Sequence, residues 1–237
     1  MSKKSRTQSR AEKAAEIKAA QARRERKRRL LAIGGVVGAM VLIVGGAVLI
    51  SALNREDVEP ADVGASEYGF VYGPDEADHT VVIYEDFLCP HCGTLEAAAG
   101  EDLAEQADQG AVRIDYRPVA FLGEESVRTL NAFKVVLEES GPDVAKEYHD
   151  ALFAEQASAP LADDQLVELA VESGAEEGAV RGGIEDMAQE DWVTEATEAA
   201  AADGLQGTPT VQLDGETFDD GSSWQEIGAN LVAAVQE

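Results

Sequence analysis

The only two cysteines of the 237-residue chain, Cys89 and Cys92, are separated by Pro90 and His91. A pair at this spacing suits reversible disulfide chemistry or half of a zinc site. A structural zinc asks for four ligands. No second cysteine pair exists, and His79 and His149 stand isolated in the sequence, so no metal is expected. A c-type haem needs His directly after the second cysteine, and Gly93 stands there. A purely structural disulfide would close a very small loop and constrain the unfolded chain little. Thiol–disulfide exchange is the preferred reading, and it requires no cofactor.

The elements that position the pair can be read from its neighbours. Val81, Val82, Ile83 and Tyr84 form a short β-branched and aromatic run, expected to be a buried central strand. Beyond it, Cys92, Leu95, Ala99 and Leu103 follow at steps of three, four and four, one face of a helix. A strand therefore feeds a helix whose first turn carries both sulfurs. Cys92 lies on the buried stripe. Cys89 precedes it at the helix N-terminus, where unpaired N–H groups and the macrodipole favour an anion. A thiolate is the reactive form of cysteine, so Cys89 is the expected nucleophile. Pro90 suits the first helical turn because its missing N–H is not needed there. A protonated His91 would stabilise the Cys89 thiolate further.

Strand, CPHC and helix together resemble the active site of the thioredoxin superfamily, and the CPHC sequence is similar to that of DsbA-type thiol oxidases. Far downstream, Gly207, Thr208, Pro209, Thr210 and Val211 resemble that family's cis-proline loop. The long helical stretch between the two motifs is similar to the helical insertion of DsbA-like proteins. The resemblance covers about residue 67 to the C-terminus. It implies an α/β, thioredoxin-like fold with a helical insertion, a cis Pro209 facing the cysteines, and a Thr208 backbone that pairs with an extended substrate segment. It also implies client proteins with free thiols, and a membrane partner of the DsbB or vitamin K epoxide reductase type that restores the disulfide. One position departs from the pattern. Family members often carry a buried acid six residues before the first cysteine, thought to move protons for the second; Ile83 stands there. Glu85 shares the face of Ile83, and Asp86 points to the other face. Both are candidate proton relays, against the alternative that they are solvated charges at a strand end.

The function expected is oxidation of client thiols outside the cytoplasm. The alternatives are a reductase or isomerase of the same fold, or a non-catalytic binding domain. Charge and hydropathy supply the location. Residues 1–29 carry 12 Lys/Arg against 3 Asp/Glu, whereas residues 54–237 carry 7 against 43. Residues 30–53 hold no charge, and 24 residues exceed the roughly 20 needed to cross a bilayer. The arginine-rich flank before them predicts a cytoplasmic N-terminus. A retained single-pass anchor is favoured over a cleaved signal peptide, because the apolar stretch is longer than a signal peptide uses. The domains expected are a basic cytoplasmic tail (1–29), a transmembrane helix (30–53), an acidic tether (54–66) and an extracytoplasmic catalytic domain (67–237). The basic tail is read as a topology signal rather than as a nucleic-acid or acidic-lipid site.

Within the domain, residues 68–72 are expected to form an edge strand. Residues 112–118 alternate apolar and polar, as a half-buried strand does, and are expected to run parallel to the first strand across a helical crossover. From 125 to 204 the pattern is helical. His149 is read there as an ordinary surface or boundary residue, Trp192 as packing, and His79 as an exposed strand-entry residue. Asp214 and Gly215 announce a type I′ hairpin, and Ser223 with Glu226 a capping box before a terminal helix. Topology is tested directly: protease added to intact cells or spheroplasts should remove the domain, and protection until lysis would refute the outward orientation.

Overall fold

A computed structural model describes residues 68–236. The tail, span and tether expected over residues 1–66 lie outside the described residues. Among the described residues no helix is long and apolar enough to cross a membrane.

The apolar run before the cysteines becomes β2 (His79–Glu85), flanked by β1 (Phe70–Tyr72) before it in the chain and by β3 (Val112–Pro118) after it. The C-terminal hairpin supplies β4 (Thr210–Leu213) and β5 (Glu216–Thr217). The sheet order is β1-β3-β2-β4-β5. β2 and β3 are parallel, with Val81 opposite Ile114 and Ile83 opposite Tyr116. The remaining pairs are antiparallel. Since β2 is central and covered on both faces, residues 81–85 are all buried, which is why its sequence reads as a continuous apolar run. Val81 and Ile83 join the main core, whereas Val82 and Tyr84 pack on the opposite face with Val119, Ala200 and Leu205.

The connection from β2 to β3 is α1 (Pro90–Asp108), which buries Cys92, Leu95, Ala99, Leu103 and Ala107, the expected stripe extended by one turn. The helical insertion comprises α2 (Glu124–Ser140), α3 (Pro142–Ala154), a 3-10 turn (Gln156–Ser158), α4 (Asp163–Glu172), α5 (Glu177–Glu185) and α6 (Glu190–Ala202). The terminal helix α7 (Trp224–Ala234) packs along α1. Trp192 packs against the core and tilts against Tyr68, as a packing residue does.

Two sequence expectations are corrected, on His149 and the capping box, and one open alternative, on Glu85 and Asp86, is decided. His149 is fully buried, because α3 turns Ala145, Tyr148, His149 and Leu152 inward together. Glu85 and Asp86 are buried rather than solvated, since the chain after β2 dives under the insertion instead of emerging. The capping box is only half formed. The Ser223 hydroxyl accepts from the Glu226 backbone N–H at 3.2 Å, but the Glu226 carboxylate accepts from Ser222 N–H at 2.9 Å instead of from Ser223. His79, at the start of β2, is half-buried and bonds Asp214 of the hairpin turn at 2.9 Å. The hairpin turn has positive φ at both Asp214 (52°) and Gly215 (84°), the geometry that a type I′ turn demands. Gly215→Ala should therefore cost about 1 kcal/mol. A denaturant titration reads this, and an unchanged midpoint would show that the turn contributes no backbone constraint.

Candidate active site

Cys89 is the N-cap residue of α1, with extended φ and ψ of −78° and 115°, and Pro90 opens the helix. Its backbone N–H donates to Asp86 O at 2.9 Å, so the loop between strand and helix is a tight turn. Its sulfur is 3.3 Å from the Thr208 carbonyl, and the Thr208–Pro209 bond is cis. The two motifs separated by 119 positions thus meet at one sulfur, as the resemblance implied.

The two sulfurs differ sharply. A hydrogen bond from the Cys92 thiol is the largest influence on Cys89. Burial opposes it, and the backbone N–H groups of Cys92 and His91 and the Thr208 side chain assist it, leaving the Cys89 pKa lowered to about 5. Cys92 is 1 % exposed. Burial first, and then its bond to Cys89, push its pKa far above the ordinary thiol range. One cysteine is thus a thiolate and its neighbour keeps the proton that stabilises it. His91 helps through its backbone N–H. Its exposed ring tilts toward Trp224, with centroids 6.4 Å apart.

The two candidate relays have different settings. Asp86 is saturated: Oδ1 accepts from Leu88 N–H at 2.9 Å, and Oδ2 accepts from Phe121 N–H at 2.8 Å, Leu122 N–H at 3.2 Å and the Ser126 hydroxyl at 2.5 Å. It ties the active-site turn to the start of α2. Glu85 Oε1 bonds His149 Nε2 at 2.7 Å, and His149 Nδ1 faces Asp150 Oδ1 at 2.8 Å. Burial works against the His149 charge, but Glu85 and Asp150 prevail and raise its pKa to about 10. The imidazolium is ringed by Phe70, Phe87, Tyr116 and Phe153 at centroid distances of 4.6–5.7 Å.

The sequence reading missed Gln156 altogether. From the 3-10 turn its side-chain amide donates to Phe87 O at 2.8 Å and Cys89 O at 3.0 Å. Both carbonyls belong to the turn that carries Cys89. Gly93 leaves room for this contact, because a Cβ there would overlap the Gln156 side chain. A glutamine after a helix carries no periodic signal, so only the fold reveals its role. An apolar surface borders the site. Leu88, Pro90, Leu122, Ala159 and Pro160 line a shallow groove beside Cys89, with Leu122 52 % exposed.

A family model described as thioredoxin matches residues 65–232. A probable disulfide bond formation protein D of Bacillus anthracis is 31 % identical over 99 residues, 41 % of this chain and 46 % of that protein. The chain therefore matches less than half the length of that curated relative. Among solved structures, reduced DsbA of Mycobacterium tuberculosis is 28 % identical with a TM-score of 0.58, covering 71 % of this chain and 91 % of its own. The reduced disulfide bond oxidoreductase DsbG of the same organism is also 28 % identical, with a TM-score of 0.59 and coverage of 76 % and 88 %.

Two measurements test this geometry. Alkylation of Cys89 should follow a titration with midpoint about 5, with Cys92 unmodified at neutral pH; equal labelling of the two would contradict the assigned asymmetry. Gln156→Ala removes two hydrogen bonds and should cost about 1–3 kcal/mol of stability, whereas a loss below about 0.5 kcal/mol would show that the turn holds itself.

Proposed function

The chain belongs to the thioredoxin family, and from that premise we propose that it is a thiol–disulfide oxidoreductase that oxidises paired thiols of client proteins outside the cytoplasm. The observation that carries the reading is the depressed Cys89 pKa beside a deeply buried, protonated Cys92, with the Cys89 sulfur against the cis-proline loop. In the oxidised protein a client thiolate attacks Cys89 Sγ. The Cys89–Cys92 bond breaks, Cys92 leaves with the electron pair and takes up a proton, and a mixed disulfide joins client to Cys89. A second client thiolate then attacks the client sulfur and releases Cys89 as a thiolate. Two electrons pass from client to protein, and the client gains one disulfide.

Direction follows from the leaving group. A thiolate stabilised in the fold leaves readily and favours the reduced protein, which makes the disulfide form a strong oxidant. Thr208, with its carbonyl at the sulfur and its backbone beside cis Pro209, is the edge along which an extended client segment would add as a strand. The groove of Leu88, Pro90 and Leu122 would accept apolar client side chains. A client segment unfolded enough to expose cysteines also exposes such residues. The membrane anchor at residues 30–53, and reoxidation by a DsbB-like or vitamin K epoxide reductase-like membrane protein, complete the proposed cycle.

Linkage separates the oxidant from a reductase or isomerase. The folded pKa of Cys89 is lowered from its unfolded value of roughly 8.5. The thiolate's stabilisation of the reduced form is therefore full above about pH 8.5, declines as pH falls, and is lost below about 5. The disulfide adds a pH-independent constraint on the unfolded chain, about 2 kcal/mol for so short a loop. Between pH 5 and 8 the stability of the reduced form relative to the oxidised form should rise by about 1.4 kcal/mol per unit. Paired denaturant titrations of the two forms measure this slope. A flat difference would remove the basis for the oxidising direction, and the reductase reading would then take its place.

A further inference from the structure

Beneath the cysteines lies a second cluster, built around the candidate relay Glu85. Glu85 of β2, Glu96 of α1 and His149 of α3 each bring a ligand atom to one spot, all within 4.8 Å of one another. Each comes from a different element, and Glu85 and His149 are at most 1 % exposed.

Two buried oxygens in this region have no hydrogen-bond partner among the described residues: Glu85 Oε2 and the Tyr116 hydroxyl. The Tyr116 ring is 4.6 Å from that of His149, and its hydroxyl senses the charges of Glu96 and Glu85 in addition to its burial. Orphaned buried oxygens are rare in folded proteins, and they point to a missing water or ion. Two of them around a carboxylate–imidazole–carboxylate cluster favour the ion. The orientation of the imidazole agrees. Asp150 holds Nδ1 at 2.8 Å and is itself held by Lys146 Nζ at 2.6 Å, which leaves Nε2 to face Glu85. A ligating histidine is typically braced in this way, its other ring nitrogen bonded to a carboxylate.

We propose that Glu85, Glu96 and His149 bind a divalent first-row metal ion, with Zn2+ as the reference, and that Tyr116 Oη bonds a water in its fourth position. Imidazole and carboxylate donors suit Zn2+ at about 2.0–2.2 Å. The ion takes the place now filled by the proton between His149 Nε2 and Glu85 Oε1, and that proton leaves to solvent. Two carboxylates balance the two positive charges. Glu96 reaches the cluster from a groove of about 820 Å3 between α1 and α3, also lined by Gly100, Asp150 and Phe153, which gives the ion a path in. Glu96 lies one helical turn after Cys92, on the same face of α1. The ion would thus tie β2, α1 and the insertion together directly below the redox pair.

The test uses the full chain with Cys89 and Cys92 oxidised, so that no thiolate competes for metal. Zn2+ is titrated against a chromogenic chelator, and Co2+ is added separately to read coordination from its visible absorption. One tightly held Zn2+ per chain is expected, with a Co2+ spectrum of low coordination number. Glu96→Gln, at a half-exposed position, should weaken binding at least ~100-fold and abolish that spectrum, and Asp150→Asn should weaken it ~10–100-fold. Glu101→Gln, an exposed groove acid outside the cluster, should leave both unchanged. His149→Gln provides a further loss if it folds by circular dichroism; if it does not, Glu96→Gln decides. Binding that Glu96→Gln leaves intact, or no stoichiometric Zn2+ in the wild-type chain, overturns the proposal and assigns the orphaned oxygens to water. The readout is metal, not thiol exchange, so its failure leaves the proposed oxidoreductase activity standing.

Discussion

The thiolate of Cys89 depends on where one proton is held. Cys92 sits on the buried stripe of α1, where a charge would be desolvated, so it stays protonated and offers its S–H to Cys89. The same burial that silences one sulfur therefore activates the other. Most of the surrounding architecture maintains that difference. β2 ends where Cys89 becomes an N-cap, α7 packs along α1, and the cis-proline loop brings the Thr208 carbonyl to the first sulfur.

The local part of this arrangement was legible in the sequence. The continuous apolar run fixed β2 as a central strand because only a strand covered on both faces reads that way. The three-four-four spacing after Cys92 fixed the buried face of α1, and Asp214-Gly215 fixed the hairpin, since both turn positions need positive φ. What was not legible lies across elements. His149 is 64 positions from Glu85, and nothing in its own helix marks it as different from a surface histidine. A polar residue on the inner stripe of a helix looks like a boundary residue until its partner is seen. Gln156 is more opaque still, because its function is set by the carbonyls it meets.

The acids at the end of β2 show why strand alternation alone was insufficient. Period-two reasoning put Glu85 with Ile83 and sent Asp86 to the other face, but both could still have been exposed at a strand end. Their fate was decided by the insertion. The loop before α2 brings the Phe121 and Leu122 N–H groups, and α2 the Ser126 hydroxyl, to the Asp86 carboxylate, and α3 brings an imidazole to Glu85. Burying a carboxylate is costly unless donors replace its water, and the active-site turn, the loop after β3 and the insertion together supply those donors. Asp86 with four of them is a structural anchor. Glu85, with one oxygen paired and one orphaned, is not fully compensated by the protein's own groups.

The insertion therefore acts as the floor of the redox site. It contributes the Ser126 hydroxyl to Asp86, the Gln156 amide to the Cys89 turn, and the His149–Asp150 pair beside Glu85. These contacts converge on the strand–helix junction, which the cis-proline loop meets at the Cys89 sulfur. A thioredoxin-like core without the insertion would keep the strand, the CPHC turn and the loop, but it would leave Glu85 and the Phe87 and Cys89 carbonyls without these donors and Asp86 with one fewer. The redox pair and the insertion thus form one folding unit, and the properties of the cysteines are expected to respond to substitutions in α3 and the 3-10 turn that never touch a client.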